Sequence, residues 1–225
     1  MKMVKSILIK LLLLFLSSQI FLFEIKPYEN YYSSKPSGSV EEKLEKISEN
    51  VWKISSIAKH PLFTLNQESI FEIKNKTIVL KSGYRKLDVL GGIRKDYQNY
   101  KVVNLNEKKV LEFSFGKKNG TIEIFENFYD NLTLQLQFKL DLLKQDQTRI
   151  DYFDKGKIKK KVFTMKSKEV LFNSNLLEVI EYEESREDKR YFAFQVTNDK
   201  ERNTIRVLQR GRGFNLEWEL DSARL

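Results

Sequence analysis

The chain contains no cysteine and a single histidine among its 225 residues. The first absence removes disulfides and a lipid-modified N-terminal cysteine, so stability rests on core packing alone. The second thins the catalytic options. A Ser–His–Asp triad would have to be built around His60, which stands before Pro61, and no strand–turn–helix nucleophile elbow accompanies it. Metal sites of His and Cys are excluded by composition. An all-oxygen calcium site is left, yet Asp141, Asp146, Asp151 and Asp154 lack calcium-loop spacing. Gly91-Gly92 has no phosphate-loop lysine at the required offset. Glu181, Glu183 and Glu184 are the type of group that glycoside chemistry uses, but their spacing carries no geometry. No catalytic, cofactor or metal residue is therefore assigned, and the expectation is a protein that is not an enzyme.

What is present starts at the N-terminus. Lys2, Lys5 and Lys10 lead into Leu11-Leu12-Leu13-Leu14-Phe15-Leu16, the pattern of an export signal or a short membrane anchor. Leu11 to Phe23 would form about 20 Å of helix at about 1.5 Å per residue, short of a hydrocarbon core about 30 Å thick. Starting at Ile7 gives about 26 Å, with Lys10 snorkelling to the headgroups. Cleavage after Ser18 would leave the oily stretch Gln19–Phe23 in water. Residues 1–23 are thus read as a signal peptide or, uncleaved, as an anchor holding the membrane through residues 7–23. The rest is expected outside the cytoplasm, on the periplasmic side of the inner membrane or secreted. That location redirects the net charge of +9 away from nucleic acid and towards anionic lipid or an acidic envelope partner.

A hydrophobic content of 41%, with 16 Phe and 10 Tyr, calls for a folded body. Residues 24–38, with two prolines and several serines, read as a flexible tether. Ser39 and Glu42 fit a capping box. Val40, Leu44, Ile47, Val51, Ile54 and Ala58 follow at steps of four and three, predicting an amphipathic helix over 39–60. Leu44, Ile47, Val51 and Ile54 are its candidate interface, buried against the body or offered to a partner helix.

From 61 to 225 the period becomes two. Leu111/Phe113/Phe115, Phe192/Phe194/Val196 and Phe214/Leu216/Trp218/Leu220 alternate with polar residues, and the longest such run is Leu132 to Leu142. Turn chemistry separates the runs, as at Asp154-Lys155-Gly156 and Asn173-Ser174-Asn175. The fold class expected is mainly β: an antiparallel meander forming a sandwich, jelly roll or open half-barrel, behind one amphipathic helix and the N-terminal signal or anchor helix.

Two basic clusters are the candidate contacts for an anion or partner. Lys157, Lys159 and Lys161 occupy alternate positions, either guarding an edge strand or forming a docking stripe for anionic headgroups. Arg206, Arg210 and Arg212 flank a glycine turn, free for phosphate or paired with Glu217 and Glu219. An anchor followed by an antiparallel β-body is similar in plan to bacterial envelope proteins that bridge lipid between membranes, a likeness of architecture only. The expected function is a non-enzymatic extracytoplasmic module that holds an apolar ligand or a partner protein. The alternative is a secreted or surface structural protein, with an enzyme third.

Overall fold

The computed structural model describes residues 24–35, 37–140, 147–185, 190–211 and 214–224. The N-terminal segment read as signal or anchor lies outside them. The first arm of the chain runs β1 (Tyr28–Lys35), β2 (Ser39–Lys46), β3 (Val51–His60), β4 (Phe63–Lys74), β5 (Thr77–Val89), β6 (Arg94–Leu105), β7 (Lys108–Phe115) and β8 (Lys118–Glu123). A short β9 (Phe128–Tyr129) then leads into α1 (Asn131–Leu140). The second arm is β10 (Gln147–Asp154), β11 (Lys157–Phe172), β12 (Asn175–Ser185), β13 (Tyr191–Thr197), β14 (Thr204–Gly211) and β15 (Phe214–Arg224). All fifteen strands belong to one sheet, ordered β8 back to β1, then β15 back to β9. Every neighbouring pair is antiparallel except β9 with β10. The result is one open sheet and not two packed sheets, so the half-barrel is the β architecture realised.

The sheet curls around α1. From the sheet side, Leu44 and Ile54 lie 1% exposed and Phe71 and Leu111 are fully buried. At the far wall Phe138 packs its ring against Tyr182 at 4.5 Å, Phe163 at 5.2 Å and Phe194 at 5.5 Å. The free end of the sheet tucks inside the curl: Phe153 of β10 meets Tyr100 at 5.1 Å and Phe113 at 6.0 Å. Gly156 fits only because it has no side chain, since a Cβ there would lie 2.5 Å from the Phe113 ring. The outer face is polar, laced by ion pairs such as Lys43–Glu29 at 3.1 Å and Lys53–Glu45 at 2.9 Å.

Three expectations are corrected. Residues 39–60 form the hairpin β2–β3 and no helix. Leu44 pairs with Ile54 across it, and Ile47 and Ser48 close the turn on the Val51 carbonyl. Steps of four are also two steps of two, so the inward set Val40, Glu42, Leu44 and Trp52, Ile54, Ser56, Ala58 satisfies a strand equally well. The β-branched Val51, Ile54 and Ile57 favour the strand.

The tether is also structured. Tyr28–Lys35 is β1, in the middle of the sheet, with Asn30, Tyr32 and Ser34 turned inward and buried. Part of its polar inner face is paired: Asn30 Nδ2 donates to the Tyr32 hydroxyl at 3.2 Å, and the Tyr28 hydroxyl donates to Glu42 at 2.8 Å.

The third correction concerns the longest alternating run, which is helical over 131–140. Leu, Gln and Lys are helix formers at least as much as strand formers, and an element enclosed on nearly all sides has no wet face to set a period. Leu132, Thr133, Leu134, Leu136, Phe138, Lys139 and Leu140 are all buried.

Asp130 decides the matter locally. Its Oδ1 accepts from the backbone N–H of Leu132 (3.1 Å) and Thr133 (2.9 Å), while Thr133 Oγ1 accepts from the Asp130 N–H at 3.0 Å. This reciprocal cap satisfies N–H groups that a strand would have bonded sideways. At the other end the Arg202 guanidinium donates to the Lys139 carbonyl. Gln137 binds both Lys76 O (3.1 Å) and Ile78 N–H (2.8 Å) on the wall. The helix is therefore fixed to the sheet at both ends and along its side.

Candidate functional site

Alternating strand direction gives the curled sheet two ends. The turns at 47–50, 74–77, 105–107 and 172–174 lie at one, together with the C-terminus of α1 and Arg202, and we call it the closed end. The turns at 60–63, 89–94 and 154–157 lie at the other. There α1 begins part-way down and leaves space above it, and the space has two compartments.

The inner compartment is a cavity of about 130 Å³, walled chiefly by Trp218, Leu216, Val207, Phe192, Phe63 and Leu132. Trp218 is 8% exposed and Leu132 3%, and the wall is mostly apolar, with Glu42, Ser56, Gln67, Asn131, Gln135 and Gln209 adding polar groups. It is placed by strand alternation: Leu216, Trp218 and Leu220 point inward from β15, and Trp218 faces Val207 across the β14–β15 pair.

The outer compartment measures about 680 Å³ and has a different chemistry. Lys159, Lys160, Lys161, Lys155, Arg85 and Arg190 contribute cationic groups to it, against the two carboxylates of Asp154 and Glu184. Some of this charge is matched internally. Lys161 Nζ lies 3.2 Å from Glu184 and 3.7 Å from the Tyr152 ring centroid. Asp154 is shared by Lys159 at 3.5 Å and Arg85 at 3.8 Å. The lining still carries six cations to two anions, and a partly desolvated cationic wall draws in an anion. The Tyr152 hydroxyl is pushed well above the usual phenol range by burial first and then by the charges of Asp154 and Asp130. It stays protonated, a donor at the vestibule wall. The compartments adjoin, sharing Leu65, Gln67, Asn131, Phe192 and Gln209.

Below the vestibule, the second oxygen of Asp130 accepts from the buried hydroxyls of Tyr100 and Ser69. Gly83 makes that approach feasible, since a Cβ there would come within 2.6 Å of the Glu68 carbonyl and against the Tyr100 hydroxyl. Burial, with Asp130 second, raises the Tyr100 pKa far above the ordinary range, so Tyr100 remains a donor.

The lysine stripe of β11 is distributed between two roles. Lys159 and Lys161 line the vestibule, whereas Lys157 lies exposed at the hairpin end opposite Asp154. β11 pairs with β10 over Lys157–Thr164 but with β12 only over Val162–Phe172, so among the described residues the lysine stretch is bonded on one side and its edge-guarding reading stands. Arg206 is engaged by Glu217 at 3.0 Å and by Glu219, and Arg210 lies over the Tyr191 ring at 5.4 Å. Arg212 is outside the described residues.

Of the helix-interface candidates, Leu44 and Ile54 are core, Val51 is half-buried and Ile47 is 54% exposed in a turn. His60 is a turn residue whose Nδ1 accepts from the Leu62 N–H at 3.2 Å. Glu181 and Glu183 lie on the opposite face from Glu184; Glu181 is buried between Lys168 at 2.5 Å and Gln195 Nε2 at 2.7 Å, and Glu183 lies 3.7 Å from Lys166. Sequence reasoning missed Trp218, Phe192, Tyr152 and Arg85 as site residues. Each reads locally as an ordinary strand residue, and only the curl brings them together.

No family model matches this chain, and no curated protein matches it. Among solved structures the chain is similar to a protein from Brucella abortus described as a beta-barrel-like protein of domain of unknown function DUF1849. The TM-score is 0.61 at 10% sequence identity, over 90% of this chain and 99% of that one. The likeness is one of fold. It extends over nearly the whole β-body, so the curled sheet is an architecture the two proteins share.

Proposed function

We propose that the protein is a non-enzymatic binding module, working outside the cytoplasm, that holds an anionic amphiphile at its open end. One observation carries this reading: an apolar cavity and a cationic vestibule adjoin and share wall residues. A molecule with an apolar tail and a negative head satisfies both at once, the tail against Trp218 and Phe192 and the head among Lys159, Lys160 and Arg85. The vestibule volume falls within the range of small-molecule sites, about 300–1,000 Å³. The inner cavity has room for about four water molecules' worth of volume, so it seats the end of a chain and the rest lies towards the vestibule. The basic start and apolar run at Leu11–Phe23 support the extracytoplasmic setting, with residues 7–23 holding the membrane when uncleaved.

Trp218 supplies the test. In a Trp52→Phe variant it is the sole tryptophan, and it lines the cavity. Titration with dodecanoate below its micellar concentration should give a saturable change in its emission, and dodecyltrimethylammonium should give none. Lys159→Gln with Lys160→Gln should weaken dodecanoate about ten-fold or more, since a charged hydrogen bond is worth about 1.5–3 kcal/mol. An equal response to both amphiphiles, or none to either, refutes the reading.

A further inference from the structure

The open end carries exposed apolar side chains on two hairpin tips. Leu62, at the β3–β4 tip, is 53% exposed, and Leu90 and Ile93, at the β5–β6 tip, are 50% and 82% exposed. The Leu90 N–H donates to the Leu62 carbonyl at 2.9 Å, so the tips are joined and form one surface. Around it Lys59, Lys86, Arg94 and Lys95 are exposed, while the nearby Asp88 and Asp96 are half-buried and Asp96 is held by Arg94 at 2.8 Å. An apolar tip inside a cationic collar matches the two layers of an anionic bilayer surface. Leucine and isoleucine enter below the headgroups, and the long cationic side chains stay level with the phosphates.

We propose that these two tips dock the open end on an anionic lipid surface. The patch is continuous with the cavity: Phe63, the residue after Leu62, stacks on His60 at 5.1 Å and lines the apolar compartment. The closed end also exposes Leu105, Phe125, Leu171 and Leu176. Leu171 and Leu176 face each other on the β11–β12 tip, apart from Leu105 and Phe125, and all four stand among charges of both signs, including Glu107, Lys108, Glu126 and Glu169, so they lack the cationic collar. Docking does not require the cavity to be filled and stands apart from the amphiphile reading.

The absence of cysteine makes the test specific. Ile93→Cys in the full chain takes a single environment-sensitive fluorophore. On vesicles rich in phosphatidylglycerol the label should shift to the blue and be quenched by a nitroxide carried in the bilayer; on phosphatidylcholine vesicles it should remain in water. Salt that shortens the Debye length from about 10 Å to about 3 Å should reverse the effect. Arg94→Gln combined with Lys95→Gln should lower the docked-to-undocked ratio roughly 25-fold, at about five-fold per charge removed. A label that stays wet on anionic vesicles overturns the proposal. So does quenching that is equal on neutral vesicles, or docking that needs an added protein partner. Dodecanoate uptake is measured on the same labelled protein, so lost docking with retained uptake removes this inference alone.

Discussion

Replacing Asp130 by Ala tests whether α1 is held by its cap and by the wall together. One carboxylate oxygen caps α1 through the N–H groups of Leu132 and Thr133, and the other receives the hydroxyls of Tyr100 and Ser69. Loss of an N-cap costs about 1 kcal/mol. Tyr100 is 5% exposed and Ser69 1%, so the hydroxyls left behind are buried. Each orphaned buried group costs about 1–3 kcal/mol. Asp130→Ala should therefore destabilise the protein by about 3–7 kcal/mol, which in a chain of this size lowers the melting midpoint by about 6 °C or more. Asp130→Asn keeps the cap and should cost less.

The cycle with Tyr100→Phe isolates the wall. Alone, Tyr100→Phe removes a hydrogen bond to a charged group and should cost about 1.5–3 kcal/mol. In the Asp130→Ala background it should cost almost nothing, because it deletes a hydroxyl already orphaned. Urea unfolding followed by far-ultraviolet circular dichroism gives all four corners. A cost below about 1 kcal/mol for Asp130→Ala, or single costs that simply add, would refute the shared anchor.

Other outcomes follow from the same packing. Leu44→Ala should cost about 2–4 kcal/mol and Ile47→Ala less than about 0.5, as read by melting; equal effects would restore the helix that the hairpin replaces. The alkaline limb of stability should be steep. Burial holds the hydroxyls of Tyr28, Tyr32, Tyr100 and Tyr152 well above the usual phenol value of 10.0. The folded state keeps protons that the unfolded chain releases, so their contribution is intact below that pH. Above it the contribution falls by about 1.4 kcal/mol per group per pH unit. Lys139, lowered by burial, acts in the opposite sense: stability rises with pH until the usual value of 10.5. Urea midpoints against pH should pass through a maximum near that point, and Lys139→Met should remove the rise while sparing the fall. A midpoint that keeps climbing above about pH 11 would contradict this.

The sequence read well wherever structure is local. The period of two marks Leu111–Phe113, Phe192–Val196 and Leu216–Leu220 as strands. The turns at Lys155-Gly156 and Asn173-Ser174 take positive φ, which Gly156 and Asn173 favour. The reading failed where an apolar pattern serves two periods, at 39–60. It failed again where burial on all sides erases the period, at 131–140. There Asp130 and Thr133 spelled a helix start that the alternating leucines obscured. Lys157, Lys159 and Lys161 do alternate along a strand, β11, and the last two line the vestibule. That Arg85 of β5 and Tyr152 of β10 share the vestibule with Lys159 and Lys161 depends on a curl that joins distant parts of the chain, and no local pattern encodes it.

The strand order has one more consequence. Every antiparallel neighbour pair in the sheet is a hairpin between consecutive strands, except β1 with β15, which join Glu29 to Arg224. Each arm can zip from its own turns, but uniting them means closing a loop of nearly the whole chain, at an entropic cost of about 4–5 kcal/mol. That seam should form last and set the folding rate. It is also where continuity is most exposed to wear. Peeling β15 from β1 would split the sheet into two meanders and open fresh edges in its middle, each a template for another chain.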